Sequence, residues 1–509
     1  MLNDFRYRLR ALFRRGTMET ELDEELRAHV EHQADKYVRS GLSREEALRR
    51  ARLELGGLDQ VKEECRDARG VTMIENTVKD LRYGLRMLGK NPVFTAVAVV
   101  TLALGIGANT AIFSLLDAVM LRFLPVEKPE ELVQIMRHSP RRGGAGTWSF
   151  TNPIWEQIRD QQDTFSGTLA WGNARFDLAR DGEAHYVKGL FVSGDFFRTL
   201  GVRPAIGRLI DRSDDRRGGS GGAVLSYDFW QDHYGGAESV VGSTIWLGNS
   251  SYPIIGVAAP GFNGLEVGSK FDVALPLSAT EIVDGNADRL EQRSYWWLKI
   301  MARLKPGITP ENTKARLDLL SPRIFSATLP GNWDTEGQKN YLKYTLSTTP
   351  ASTGTSGLKQ LMEEPLQILM AVVGLVLLVA CANLAGLMLA RAAARNQELA
   401  LRRALGAGRG RLIRQLLTEC LMLSMAGALV GIVFARWGAM LLVRFVSTAG
   451  NQVFLDLSYN WRTLAFTALI AIGTALLFGV LPAFRATRAS LVAGMKGSPS
   501  IDTQRHARL

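Results

Sequence analysis

Uncharged apolar runs and charged, turn-rich stretches alternate along the chain and sort it into spanning and soluble parts. The longest run, Pro365–Ala390, carries no charged side chain. At about 1.5 Å per helical residue it crosses a hydrocarbon core of about 30 Å with some tilt. Val93–Leu116 and Thr463–Phe484 are runs of the same kind. Cys420–Ala435 is shorter, and reaches spanning length by continuing past Arg436 or starting within Leu412–Leu417. The pattern predicts four transmembrane helices, over 91–118, 365–390, 416–442 and 463–484.

The stretch before the first span is polar and periodic. Leu22, Leu26, His29 and Val30 recur at helical spacing, and Gly41 ends that helix. Ser43-Arg44-Glu45-Glu46 reads as a capping box for a helix from Glu45 to Leu55. Gly56-Gly57 breaks it, and a short third helix is expected over Leu58–Arg66. Residues 1–70 therefore read as a small helical domain. Residues 72–90 place Ile74, Val78, Leu81, Leu85 and Leu88 among Lys79, Arg82, Arg86 and Lys90, the pattern of an amphipathic helix at a membrane surface.

Between the first two spans, residues 119–360 alternate with a shorter period and many turns, which predicts an α+β domain. Strands are expected at Leu132–Arg137, Arg175–Arg180, Glu183–Val192, Ala223–Ser226, Ser243–Leu247, Ser251–Val257, Trp297–Leu304 and Tyr341–Ser347. Asp181-Gly182 and Gly248-Asn249 are hairpin turns. Helices are expected over Tyr227–Tyr234 and Pro310–Leu320, the second capped by Thr309. Arg216–Gly222 reads as an exposed, mobile link.

Charge then orients these parts. The net charge of +11 is concentrated beside the spans. The segment after Pro365–Ala390 holds Arg391, Arg395, Arg402, Arg403, Arg409, Arg411 and Arg414 against Glu398 and Glu419. Basic residues accumulate on the cytoplasmic side of spans. The segments before the first span, between the second and third and after the fourth are all basic, and four spans put all three on one side. Both termini and the tail 491–509 are thus expected in the cytoplasm, with 119–360 outside. Charge scattered along spans argues against a nucleic-acid partner. The partner it fits is the lipid bilayer.

Candidate chemistry is sparse. The three cysteines are Cys65, Cys381 and Cys420, so the 119–360 domain has no disulfide framework. Six scattered histidines show no metal-ligand spacing. The G-x-x-x-x-G-K-[ST] phosphate loop is missing, so no ATPase and no other enzyme activity is expected of this chain, and no cofactor. The small residues Gly105, Gly107, Gly386 and Gly479, with Pro482, suit close helix packing in lipid, where Asn109 and Asn383 need hydrogen-bond partners. Glu398 and Arg402 support a short helix at i, i+4, and Gly406 and Gly408 break it ahead of Arg409.

These features together resemble a known family. The stretch E-L-A-L-R-R-A-L-G-A-G-R-G-R-L-I-R-Q-L-L-T-E (398–419) resembles the cytoplasmic loop of MacB/FtsX-like ABC permeases. Phe478-Gly479-Val480-Leu481-Pro482-Ala483 resembles the end of their fourth span. Val192–Phe197, Val224–Trp230 and Ile255–Val257 with Pro260–Phe262 resemble the MacB periplasmic core. Residues 1–120, ending near A-L-G-I-G-A-N-T-A-I-F-S, are similar to the start of acidobacterial-type duplicated permeases, here in single copy.

The resemblance implies a MacB-like periplasmic core over 119–360 and an FtsX-like permease domain over 361–490, in the cell inner membrane. It implies a separate cytoplasmic ATPase, and dimerisation with a like or unlike second permease. A periplasmic adaptor is a further candidate partner. The expected function is that of an ABC transporter permease subunit, passing conformational change from the ATPase to the external domain to drive efflux or release of cargo. The alternative is an FtsX-like regulator that couples ATP hydrolysis to an external enzyme such as a cell-wall hydrolase. The coupling residues implied are Glu398, Arg402, Arg403, Gly406, Arg409, Arg411 and Arg414.

Overall fold

The computed structural model describes residues 15–55, 72–140, 146–178, 185–217, 221–280, 289–355, 357–394, 409–447 and 453–488. The first helices are α1 (Arg15–Arg39), α2 (Arg44–Leu55), α3 (Thr72–Lys90) and α4 (Pro92–Leu116). The α+β part runs β1 (Leu132–His138), β2 (Gly146–Thr147), α5 (Asn152–Gln161), β3 (Phe165–Asp177), β4 (Tyr186–Val192), α6 (Phe196–Leu200), β5 (Pro204–Gly207) and β6 (Ala223–Leu225). It continues through α7 (Tyr227–Tyr234), β7 (Thr244–Leu247), β8 (Ser250–Ala258), β9 (Val273–Pro276), β10 (Lys299–Leu304), α8 (Pro310–Ala327), α9 (Thr335–Tyr341) and β11 (Thr345–Pro350). Three long helices follow, α10 (Gly357–Ala394), α11 (Arg409–Val446) and α12 (Trp461–Arg488).

The chain divides into two compact units, one of Met1–Thr110, Val373–Ala435 and Leu464–Leu509, the other of Ala111–Val372 and Arg436–Thr463. Four helices are long and apolar enough to cross a membrane: Pro92–Leu121, Gly357–Arg391, Ile413–Phe445 and Trp461–Val480. In the first unit they meet through small residues and short polar bridges. A Cβ on Gly107 would lie 2.8 Å from the Gly431 carbonyl oxygen, and one on Gly427 2.6 Å from the Leu102 Cβ. Around these contacts Leu102, Ile106, Leu384, Leu423 and Phe478 are buried. Ser424 donates to the Ala471 carbonyl at 2.5 Å, and Thr110 and Thr467 share a hydrogen bond of 3.1 Å. In lipid such bonds replace the water that a soluble helix would use. Helices α1 and α2 pack through Val30, Ala34, Ala47 and Ala51, and Ser43 caps α2 by accepting from the Glu46 N–H.

The second unit holds an 11-stranded sheet in the order β11-β1-β10-β3-β4-β9-β6-β8-β5, with β2 on β1 and β7 on β8. Among the described strands the β4·β9 and β6·β8 pairs are parallel and the other pairs antiparallel. Alternation along each strand divides the side chains between two cores. Ala170 and Ile300 join the core covered by α5, α7 and α8, with Trp155, Trp230 and Phe325. Leu169, Trp171 and Met301 join the other, with Phe196 and Phe197 of α6 and Phe262. The β7–β8 hairpin turns at Gly248, whose φ of +60° favours glycine.

Several expectations need correction. The second spanning helix begins before Pro365, which lies inside α10. Proline is tolerated inside spanning helices where local adjustment re-satisfies the freed carbonyl. The third spanning helix passes through Arg436 as expected, and extends past both expected ends, from Arg409 to Val446. The strand expected at Arg175–Arg180 begins ten residues earlier, as the 13-residue β3. Helix α8 passes Leu320 with Pro322 inside it, and the carbonyl the proline leaves free belongs to exposed Asp318. Tyr341 closes a helix, α9, capped by Asp334 accepting from the Gly337 N–H, and the late strand starts only at Thr345. Gly222, at the end of the expected mobile link, is buried, and a Cβ there would run into the Ile255 side chain. The Leu58–Arg66 helix and the Asp181-Gly182 turn lie outside the described residues.

Just beyond α4 the helix widens into a π-turn, Asp117–Leu121, closed by the Arg122 N–H donating to the Asp117 carbonyl at 2.8 Å. Such single turns recur at functional positions.

Candidate functional site

Two clusters gather the charged side chains associated with the spanning helices. The first surrounds the basic stretch after α10. Glu398, Arg402, Arg403 and Gly406 lie outside the described residues. Arg409 opens α11, and Arg411 falls in its first turn. Arg414 Nε donates to Asp80 Oδ2 of α3 at 2.8 Å, and the Asp80 side chain is only 12% exposed. At the other end of the stretch, Arg391 of α10 lies 4.6 Å over the Phe94 ring of α4 and donates to the Met87 carbonyl of α3 at 3.4 Å. Helix α3 packs closely beside α11, since a Cβ on Gly84 would lie 2.7 Å from Met422 Sδ. Both ends of the basic stretch are therefore tied to α3 and its junction with α4.

The residues expected to pack the spans divide. Asn109 donates to the Gly105 carbonyl at 2.9 Å and to the Val373 carbonyl at 3.0 Å, bridging α4 to α10. A Cβ on Gly105 would meet Leu377 at 2.7 Å, and one on Gly479 would meet the Cys420 sulfur at 3.1 Å. Asn383 is exposed, and nothing lies within 4 Å of a Cβ on Gly386, so within this chain neither position packs. Pro482 lies inside α12.

The second cluster is at the π-turn, in the α+β unit. Asp117 is buried and accepts from Asn460 Nδ2 at 2.5 Å. Arg122 Nε and Arg462 Nη1 stand 4.0 and 3.9 Å from its carboxylate. Arg122 also pairs with Asp456 and donates to the Ser458 carbonyl at 2.8 Å. Burial raises the Asp456 carboxyl, but the Ser458 N–H and hydroxyl and the Arg122 guanidinium outweigh it, leaving it below its ordinary value. The segment 453–462 is thereby fastened to the exit of the first span.

Sequence reasoning missed Asp80, Asp117 and Arg122. Asp117 did leave a signal, as the first charge after a long apolar run. Asp80 left none, because it sits among other charges on a helix read as a surface element.

The family model for the MacB-like periplasmic core domain matches residues 95–320, and that for the FtsX-like permease C-terminal matches residues 370–491. The macrolide export ATP-binding/permease protein MacB 2 of Aeromonas hydrophila subsp. hydrophila is 25% identical over 299 residues, covering 58% of this chain and 41% of that protein. The pyoverdine export ATP-binding/permease protein PvdT of Pseudomonas syringae pv. tomato is 26% identical over 285 residues, covering 55% of this chain and 38% of that protein. The chain spans about two fifths of the length of the curated relatives it matches. The crystal structure of the periplasmic region of MacB from Actinobacillus actinomycetemcomitans aligns with a TM-score of 0.31 at 12% identity, over 46% of this chain and 92% of that one.

Proposed function

The chain belongs to the MacB/FtsX-like permeases of ABC systems, and we propose that it is the subunit through which a separate ATPase drives the external α+β domain. The observation that carries this reading is the bracing of both ends of the basic stretch. Arg391 and Arg414 hold the facing ends of α10 and α11 to α3. A partner pressing on residues 395–408 would move the two spanning helices together.

In this reading the N-terminal helices, the basic stretch and the C-terminal tail face the cytoplasm, and Glu398, Arg402, Arg403, Gly406, Arg409 and Arg411 meet the ATPase. The spans carry the stroke outward (mechanotransmission) to a domain that moves or releases cargo outside the membrane. The assembly takes a second permease chain, like or unlike, to complete it.

The test is charge reversal at Arg402 and Arg403, followed by purification with the bound ATPase from the native host. The double variant is expected to lose permease-stimulated ATP hydrolysis by about tenfold or more, since reversed charges across an interface repel. Unchanged ATPase binding and stimulation would overturn the assignment.

A further inference from the structure

A cavity of about 620 Å³ opens in the α+β unit beside the π-turn, within the size range of small-ligand sites. Its walls are Arg122–Pro125, the loop Gly261–Ser269, Arg436 and Met440 of α11, and Phe454–Ser458. Phe123, Leu124, Met440, Phe454, Leu455 and Leu457 make most of it apolar.

The charges on the wall are unequal. Asp456 is held by Arg122. Glu266 is held by Lys299 Nζ at 2.5 Å, and accepts from Trp171 Nε1 and Asn173 Nδ2, each at 3.0 Å. Among the described residues each acid of this lining is paired with another cation, which leaves Arg436 as the charge of the lining with no acid on it. Arg436 also lies within a spanning helix, Ile413–Phe445. A guanidinium there is costly unless it meets a polar cavity or an anion, and such residues mark ligand paths.

The depth of the cavity follows from the chain. Its lining comes from the end of the first spanning helix, from the third near Arg436, and from the segment just before the fourth, which starts at Trp461. Phe123 and Trp461 are exposed at the ends of the first and fourth spanning helices, and Trp437 is exposed beside Arg436. Aromatic side chains gather where hydrocarbon gives way to headgroups. A cavity with apolar walls and the Arg436 guanidinium on its lining fits a molecule of matching polarity.

We propose that this cavity binds an anionic amphiphile, its acidic head on Arg436 and its apolar body along Phe123, Leu124, Met440 and Phe454. Binding of this kind needs neither ATPase nor nucleotide. Its failure would therefore leave the coupling reading intact, and the failure of coupling would leave this site intact.

The test uses the full chain in nanodiscs of zwitterionic lipid, with a fatty acid carrying a photoactivatable diazirine in its acyl chain. Crosslinks are expected on peptides containing Phe123 and Met440. Arg436→Gln should reduce them about tenfold, the loss of one charge-assisted hydrogen bond, while Arg436→Lys keeps most of the labelling and Arg444→Gln keeps all of it. The matching fatty alcohol should label weakly. Displacement by phosphatidylglycerol in the nanodisc identifies a membrane lipid as the ligand; displacement only by added free fatty acid identifies a soluble amphiphile. Equal labelling by acid and alcohol, labelling indifferent to Arg436→Gln, or crosslinks confined to other regions would overturn the proposal.

Discussion

Gly107 and Gly431 meet backbone to backbone: a Cβ on Gly107 would stand 2.8 Å from the Gly431 carbonyl oxygen and 3.2 Å from its Cα. No flexible side chain is present to yield. Gly107→Ala is expected to destabilise the chain by about 1–3 kcal/mol through overpacking. Gly473→Ala, where nothing lies within 4 Å of the added carbon, should be neutral or stabilising through helix propensity. Thermal unfolding of the two variants in detergent separates these outcomes, and equal shifts would refute the close packing.

The Asp80–Arg414 pair is tested by exchange. Asp80→Arg should weaken the brace and lower ATPase stimulation. Because the Arg414 side chain is 39% exposed, the stability cost is about 1 kcal/mol or less. Asp80→Arg combined with Arg414→Asp restores an opposite-charge pair, and stimulation should recover with it. A double variant as impaired as the single ones would separate this pair from coupling.

Asp456 gives the α+β unit a defined pH response. Its folded carboxyl lies below the ordinary carboxylate value, so its stabilising contribution is fully present above that value and is lost as pH falls through the depressed one. Melting curves from pH 7 to pH 3 should show the wild-type chain losing more stability at the acid end than Asp456→Asn. Parallel curves for the two would contradict the assignment.

Topology can be read with one cysteine. Cys381 and Cys420 are buried and should resist alkylation in the folded chain. In a Cys65→Ser background, Ser251→Cys, at an exposed position of β8, should gain labelling by a membrane-impermeant maleimide added to intact cells with a permeabilised outer membrane. Labelling that appears only after the inner membrane is opened would place the α+β domain in the cytoplasm.

What the sequence made legible was local. Apolar runs without charge marked the four spanning helices, and Gly248-Asn249 marked a hairpin, because length and turn chemistry act within a few residues. Helix α9 was misread because its cap, Asp334, is a single acid without an apolar period behind it. The start of α10 was misread because Pro365 looks like a boundary, although the helix passes through it. The site was less legible than the fold. Asp80 and Arg414 are 334 positions apart, and no periodicity relates them. Arg436 could be seen as an interruption in an apolar run, but which wall it faces depends on Phe454–Ser458, which packs beside it only after folding.

The π-turn at Asp117–Leu121 carries a consequence for how the chain tolerates change. Each residue of a helix advances the azimuth by about 100°. One residue removed from this turn would convert it to an ordinary α-turn and swing Arg122 away from Asp456 by about that angle, whatever side chains remained. Residue count sets the aim of this guanidinium, so the segment should accept substitutions that keep its length and reject single-residue insertions and deletions.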